Sequence, residues 1–529
     1  MESKQQSWEV PPESTRLTNM YRTALQTTPD KTAVIVGDQQ CTYRKLDEMA
    51  ELYGRALTGI GVAKDTVVGI FMPDCLELIW LFLACNRIGA IANMTSAFTQ
   101  TEEFVYETGS SQTAVLLVHS KLHPIVENIQ KRVPSLQKIF IVDAPDEHPL
   151  AWSRVVAQAP VCMTPTMLTE EQVAVIFYTS GSTAKPKGVT HTHRSFFEAA
   201  YNLVVSRKHD ARDIFAMSFH LSHCAAYRIL LSMFYCGGTS IFYDDEQIFK
   251  KFDAGAFIKS LKKYGVTHVL TTPSQWRQVL GYSHLQKEEF TTVRYLSCAG
   301  DAMTSDLQRE TKEKLNMPLS VVLGMTECGS YILTREVVDP LPGEIGYPIH
   351  ATNVRLMDGN DKDVPKGEVG QIIVQTAALM RGYWNDSANT AAVLKNGWLY
   401  TGDLARQDER GSYFFVGRCK NTIIRGGGNI APEEVEDAIS KHPAVKNCAV
   451  TGVPDAKYGQ AVAAVVVLAD PLASPPPGDL TEFLTPLIAA RKIPEHWYFA
   501  TELPLNSVAK LDRKQLAELV RQLAAKQGE

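Results

Sequence analysis

Tyr178-Thr-Ser-Gly-Ser-Thr-Ala-Lys-Pro-Lys-Gly-Val189 crowds hydroxyls, two glycines and two lysines into one short stretch. Hydroxyls and bare backbone N–H groups donate to phosphate oxygens. Gly181 and Gly188 let the backbone approach an anion closely, and Lys185 and Lys187 add positive charge. The chemistry such a stretch suits is the holding of a polyphosphate. It is not a Walker loop, because G-x-x-x-x-G-K-[ST] cannot be laid on it. Taken alone, it could equally be a flexible polar turn.

The elements that must position it are legible in outline. VAVIFYTS, just before it, reads as a strand. DTVVGIFM (65–72), TAVLLVH and KIFIVDA repeat the strand signal, and LELIWLFLACNRIG reads as a helix. This alternation predicts α/β layers around largely parallel sheets. GQIIVQT (370–376) reads as a further strand, RGYWND as a turn, and GSYFFVGR and NTIIRGGGN as strands around turns. From Glu433 a compact α+β pattern follows: helix EEVEDAISKH, then strands NCAVTGV and AVAAVVVL. DPLASPPPGD (470–479) reads as a surface loop.

With 529 residues the chain is expected to hold more than one domain. Apolar residues make up 45% and charged residues 21%, ordinary for a soluble globular protein. A net charge of −5 supplies no basic field, so nucleic acid is not expected as a partner. The ten cysteines are scattered without a C-x-x-C pair, which predicts reduced thiols rather than a disulfide or zinc framework. MESKQQSWEVPPEST lacks the apolar run of a secretory leader, and the run Leu78 to Cys85 is too short to span a membrane. The expectation is a cytoplasmic protein without a transmembrane segment.

The stretch beginning at Tyr178 closely resembles the phosphate-binding signature of the adenylate-forming superfamily, in its acyl-CoA synthetase branch. Further signatures follow in that family's order. Ala299-Gly-Asp-Ala-Met303 resembles its adenine-lining turn, Gly324-Met-Thr-Glu327 its G-x-T-E segment, and Tyr400-Thr-Gly-Asp-Leu404 its ribose-binding turn. Gly417-Arg-Cys-Lys-Asn421 stands at its interdomain hinge. Leu503-Pro-Leu-Asn-Ser-Val-Ala-Lys510, with Arg513, resembles its C-terminal lysine segment. Any one of these is weak; the ordered set is specific.

The resemblance implies a large N-terminal domain of layered α/β sheets with a β-barrel-like subdomain (1–417), a hinge (418–421) and a small mobile α+β domain (422–529). It implies ATP, Mg2+ and coenzyme A, with a small-molecule carboxylic acid as the other substrate. The acid's carboxylate would attack the α-phosphorus of ATP, and a thiol would then attack the acyl carbon of the adenylate. Thr179, Ser180, Gly181, Ser182, Thr183 and Lys187 would cradle the β- and γ-phosphates. Thr326 would donate to the α-phosphate and Glu327 would hold the metal. Gly300 and Asp301 would line adenine, while Asp403 and Arg418 would hold the ribose. Lys510 would bridge the attacking carboxylate and the α-phosphate. Gly426, Gly427 and Gly428 would let pantetheine pass after rotation about Lys420. Lys510, Thr326 and His220 are the catalytic candidates.

Each residue has a plainer reading when taken singly. Asp403 suits a tight turn, Glu327 a helix start, Lys510 a solvated surface, Gly426–Gly428 a hairpin, and His220 a packed core. Four positions depart from the family pattern: Ala184 and Ala509 replace glycines, Leu323 an adenine-stacking aromatic, and Asn421 an acid. Relatives that activate α-amino acids carry an aspartate where Phe219-His-Leu-Ser222 places His220. An imidazole cannot neutralise an ammonium group. With Ala225, Ala226, Trp276, Cys328 and Gly329 as further acyl-pocket candidates, a hydrophobic aliphatic or aromatic acid is expected. Two other functions stay open. One is transfer to a carrier-protein thiol or an amine; the other is a silent nucleotide- or acyl-binding protein.

The lysine assignment gives a direct prediction. Lys510→Ala should abolish ATP–pyrophosphate exchange, because a cation positioned at developing phosphorane charge supplies about 3–4 kcal/mol by analogy with an oxyanion donor. The same variant should still convert a supplied acyl-adenylate to thioester. Near-normal exchange would remove Lys510 from the first half-reaction.

Overall fold

The strands Val173–Thr179 and Lys187–Thr192 pair antiparallel, so the hydroxyl- and lysine-rich stretch closes a hairpin. They lie in the first of two large sheets of this computed structural model. The structure describes residues 15–162, 167–179, 185–243, 252–300, 303, 305–334, 341, 343–425, 428–455, 457–470, 475–505 and 511–527. Ser180, Gly181, Ser182, Thr183, Ala184, Asp301, Gly426, Gly427, Ala509 and Lys510 lie outside the described residues.

The first sheet runs in the order Gly382–Tyr383, Lys187–Thr192, Val173–Thr179, Ile91–Thr95, Val67–Phe71, Val115–Val118, Lys138–Ile141. Its last five strands are parallel. The second sheet has a parallel half of Ser320–Met325, Tyr295–Ala299, His268–Thr271, Ile214–Met217, Thr239–Phe242 and Thr32–Val36. It continues into an antiparallel run of Ser330–Thr334, Glu344–Pro348, Tyr413–Arg418, Trp398–Gln407, Val369–Gln375 and Asn353–Met357. That run stands where the barrel-like subdomain is expected. Among the described residues its pairing leads into the parallel half instead of closing on itself.

One core joins the two sheets. It takes Val68, Ile70 and Phe177 from the first, Val34, Met217 and Leu270 from the second, and side chains of several helices, among them Tyr43–Gly59 and the three that follow. Helix Leu76–Ile88 is apolar on nearly every side and buried accordingly, and Gly89 ends it at φ 79°, where a side chain would be strained. Helix His193–Arg207 starts from a reciprocal cap between Thr192 and Ser195. Helix Cys224–Cys236 starts from His223, whose Nδ1 accepts the Ala225 N–H.

After Thr422 the chain builds a separate core. Hairpin Ile423–Arg425/Gly428–Ile430 precedes helix Pro432–Ser440 and the sheet Val445–Asp455, Gly459–Leu468, His496–Phe499. Successive residues of the central strand alternate between two clusters: Val462, Ala464 and Val466 in one, Ala463, Val465 and Val467 in the other. Neither cluster includes a residue before Ile423.

Two local expectations need correction. Pro477–Gly478–Asp479 is the first turn of helix Pro477–Leu484, not loop, because proline's fixed φ and missing N–H suit a helix start. Gly382 and Tyr383 of the expected RGYWND turn instead form a strand, paired with Thr190 and Val189. No helix among the described residues is long and apolar enough to cross a membrane.

His193 ties the start of the described chain to this core. Its ring is fully buried, its Nδ1 accepts the Leu17 N–H at 3.4 Å, and burial, helped by Arg16, pushes its pKa down to about 4. The unfolded chain binds a proton there below the ordinary value of 6.5, so this contribution is full above that pH and shrinks as pH falls toward 4. The stability difference between wild type and His193→Gln should therefore narrow by about 2 kcal/mol from pH 7.5 to pH 5. Urea unfolding of both proteins at each pH measures it. A gap independent of pH would mean that the imidazole titrates normally.

Candidate active site

Hairpin register sets Thr179 directly opposite Lys187, so the candidate phosphate stretch leaves and re-enters the sheet at one point. Lys187 Nζ donates to Asn389 Oδ1 at 3.0 Å and lies 4.9 Å from the centre of the Tyr383 ring. Asn389 is itself held by Asp386, which accepts its backbone N–H at 3.0 Å and its amide N–H at 2.7 Å. The Tyr383 hydroxyl donates to Glu327 Oε1 at 2.9 Å. A cation, a phenol and a carboxylate from three distant segments thus form one chain of contacts.

Thr326–Cys328 is a single tight turn, closed by Gly329 at φ 64° with its N–H on the Thr326 carbonyl at 2.9 Å. A Cβ on Gly329 would stand 2.5 Å from Ala199 Cβ, so only glycine fits. His191 fixes the turn from below. Its Nε2 lies 2.7 Å from the Thr326 carbonyl and its Nδ1 3.1 Å from Ser195 Oγ. Because the carbonyl only accepts, Nε2 carries the proton and Nδ1 accepts from the Ser195 hydroxyl. Burial pushes this imidazole to about 4, so it is neutral in the fold. The Met380 N–H, donating to the Glu327 carbonyl at 2.8 Å, holds the turn's other side.

Asp403 is buried and Arg418 half exposed; Arg418 Nε meets Asp403 Oδ1 at 3.0 Å across paired strands. The Thr-Gly-Asp segment lies inside strand Trp398–Gln407 rather than in a separate turn, with Gly402 at φ 77° and a register shift just after it. Burial raises the Asp403 carboxyl; Arg418 opposes this, and the charge of nearby Glu327 adds to it. Lys420, in the next turn, has its ammonium pKa lowered by desolvation and then by Arg418 and Arg513. It is close enough for Asp403 and Lys187 to act on it. Beyond it, Arg513 donates to the Val450 carbonyl at 2.8 Å and to Glu433 at 3.1 Å, and Asn421 reaches the same carboxylate at 3.3 Å.

The expected acyl-pocket residues do not all converge. His220 is partly exposed, edge-on to Phe98 at 4.6 Å, and burial by its surroundings pushes it to about 4. Sequence reasoning missed Asp74, whose Oδ2 lies 3.9 Å from His220 Nδ1. Asp74 accepts the Leu221 N–H at 2.8 Å, and burial pushes its carboxyl up to about 8. At neutral pH this pair is largely uncharged. Ala225 keeps slight exposure, whereas Ala226 has none. Trp276 lies in the second-sheet core with no accessible surface, its indole N–H donating to Thr311 Oγ1 at 2.8 Å. It presents no face to an open cleft, and its role there is packing. Cys328 is buried in the core of the antiparallel run, and Leu323 packs against that core. Gly300, at φ 94°, ends strand Tyr295–Ala299.

Comparison with known proteins gives the family and the fold. The family described as AMP-binding enzyme matches residues 21–384, and its C-terminal domain matches residues 434–510. A feruloyl-CoA synthase of Amycolatopsis sp is 30% identical over 497 residues, covering 91% of this chain and 94% of that protein. A fatty acid–[acyl-carrier-protein] ligase, ScoC, of Streptomyces coeruleorubidus is 27% identical over 500 residues, covering 93% of each. The crystal structure of the anthranilate CoA ligase AuaEII with anthranoyl-AMP superposes with a TM-score of 0.89 at 24% identity, covering 98% of this chain and 100% of that one. That likeness speaks for the fold.

Tyr383 and Asn389 were invisible to motif reading, although RGYWND held the tyrosine in view. Tyr383→Phe keeps the ring beneath Lys187 and deletes the hydrogen bond to Glu327. A bond to a charged group is worth about 1.5–3 kcal/mol, so pyrophosphate exchange should fall roughly ten- to hundredfold with little change in melting temperature. An unchanged rate would mean that Glu327 needs no such anchor.

Proposed function

Because this chain belongs to the AMP-binding enzyme family, we propose that it joins a carboxylic acid to the thiol of coenzyme A through an acyl-adenylate. The observation that carries this is the meeting of Lys187, Tyr383 and Glu327 close to the Asp403–Arg418 pair. A cation for phosphate, a carboxylate for a hard metal ion and a buried acceptor for ribose hydroxyls stand together there.

In the first half-reaction a carboxylate oxygen bonds to the α-phosphorus of ATP and the bond to pyrophosphate breaks. Thr179 to Thr183 and Lys187 hold the β- and γ-phosphates, and Thr326 donates to the α-phosphate. Glu327 fits Mg2+: it is a carboxylate oriented by a phenol, beside the phosphate stretch. The ion supplies charge neutralisation of the phosphates when bound. Gly300 and Asp301 line adenine, with Leu323 in place of a stacking ring. Asp403 accepts from the ribose, helped by Arg418. Lys510 bridges the two reacting anions.

In the second half-reaction the thiol sulfur bonds to the acyl carbon, AMP leaves, and the thiol proton passes to solvent. The residues after 422 rotate about Lys420 and exchange Lys510 for Gly426–Gly428, along which pantetheine passes. Their separate core supports movement as one body.

The acid's body is apolar and carries no α-ammonium group. His220 stands where an acidic partner would be needed, and the carboxyl behind it is raised to about 8 by burial. A second reading, transfer to a carrier-protein thiol, is favoured by the likeness to ScoC.

AMP formation should require an acid and ATP, and turnover should require coenzyme A. Chromatography of AMP across acids matched in size, with coenzyme A, with a carrier protein or with neither, separates the two acceptors. In direct competition an acid should exceed its α-amino counterpart by at least about tenfold, or 1.4 kcal/mol. The reverse preference would move the enzyme to amino-acid activation.

A further inference from the structure

Helix Cys224–Cys236 carries one charged residue into an apolar interior. Arg228 is 1% exposed, and none of its Nε, Nη1 and Nη2 atoms has a hydrogen-bond partner among the described residues. Its guanidinium lies over the Tyr331 ring, 3.8 Å from the centroid. Burial bears on it most, followed by Tyr331, whose hydroxyl is a weak acceptor within its reach, and by Cys224 and Arg207; none is a carboxylate, and Arg207 is a like charge. The buried carboxylate of the adjoining polar cluster, Asp213, is already engaged. It takes the Arg294 guanidinium, the Asp210 N–H at 3.1 Å and His209 Nδ1 at 3.1 Å. An interior guanidinium with no carboxylate against it is unfavourable until an anion reaches it.

Its neighbours are those of the candidate active site. Ala225 and Arg228 are three residues apart on one helix and share a face. Tyr331 pairs with Gly324 across the antiparallel hairpin whose connecting turn carries Thr326 and Glu327. Cys224, one turn before Arg228, feels both Arg228 and Glu327. Arg228, over the Tyr331 ring, therefore stands behind the hairpin whose turn carries Thr326 and Glu327, on the helix face of Ala225.

We propose that Arg228 receives a second carboxylate of the acid substrate, at the end of the molecule remote from the carboxylate that is activated. This rests on the reading that the chain activates an acid at this site, and it names the class of acid: an apolar aliphatic or aromatic skeleton with a distal carboxylate. The planar guanidinium matches a carboxylate in two parallel hydrogen bonds, and the Tyr331 ring holds its plane. A neutral distal group would leave the cation unpaired, so the discrimination comes as much from rejection as from attraction.

The test measures kcat/KM for pyrophosphate release with acids of one skeleton ending in methyl, carboxamide or carboxylate. Wild type should favour the distal carboxylate over both others by at least about tenfold. In Arg228→Met that ratio should collapse to near one or invert. The diacid without ATP should raise the melting temperature of wild type and not of the variant. Equal or better use of the methyl-ended acid by wild type overturns the proposal, and that result needs no variant to fold. It leaves acid activation intact, since pyrophosphate is still released. No pyrophosphate from any acid would sink the activation reading and this inference with it. A ratio unchanged in Arg228→Met also overturns the inference.

Discussion

The hydrogen bond from His191 to the Thr326 carbonyl couples the two segments that the site cannot do without. His191 belongs to strand Lys187–Thr192, and that strand organises its surroundings along its whole length. Its first residue is the candidate phosphate lysine, and its last caps helix His193–Arg207. One edge pairs with Val173–Thr179 and the other with Gly382–Tyr383. Shifting the register by one residue would turn His191 from the core and leave the Thr326 carbonyl without its donor. The imidazole works only while neutral, because it must donate at one nitrogen and accept at the other. Burial holds it in that form at any pH above about 4.

Electrostatics then explains why the site is built with its cations outermost. Glu327 and Asp403 are near enough to raise the energy of each other's charge. Arg418 offsets Asp403 from a half-exposed position, while Lys187 approaches Glu327 only through the Tyr383 ring. A direct lysine–carboxylate pair would be self-satisfied and would compete with any polyphosphate. An interposed phenol keeps the carboxylate oriented and leaves the ammonium directed by weaker partners, an amide oxygen and a π face. Both can be given up for phosphate oxygens.

Legibility in the sequence followed the range of the contacts. Lys187, Thr326, Glu327, Asp403 and Arg418 sit in short local motifs whose backbone shape is set within a few residues, and the structure brings these segments together. Tyr383 could not be read in the same way. Its strand has two residues, and its partner strand lies almost two hundred positions earlier. By sequence Trp276 is an acyl-pocket candidate for its apolar side chain. Its helix instead turns that face toward Thr311 and Phe290, where the indole N–H is satisfied. Arg228 was hidden for the opposite reason. In CAAYRILLSMFYC one arginine looks like the solvated side of an amphipathic helix, yet the helix is buried nearly all round. Only burial reveals that a cation lies inside.

The same contrast between local and distant contacts bears on the rotation proposed for the small C-terminal unit. Its apolar side chains are consumed on the two faces of its own sheet. At the junction itself Asn421 reaches Glu433, while Arg418 on Asp403 and Arg513 on Glu433 hold the two flanks, each within its own unit. Apolar contacts torn apart by a rotation would expose surface at about 25 cal/mol per Å2. Partly exposed ion pairs exchange partners with water at little net cost. Gly417 adds a steric condition, since a Cβ there would stand 2.8 Å from Glu433 Oε2 and 2.9 Å from Ala431 Cβ. Across the junction the chain thus combines one polar contact, Asn421 on Glu433, with the close approach of Gly417 to Ala431 and Glu433. Such a joint can turn through a few backbone torsions while the cores on either side stay intact.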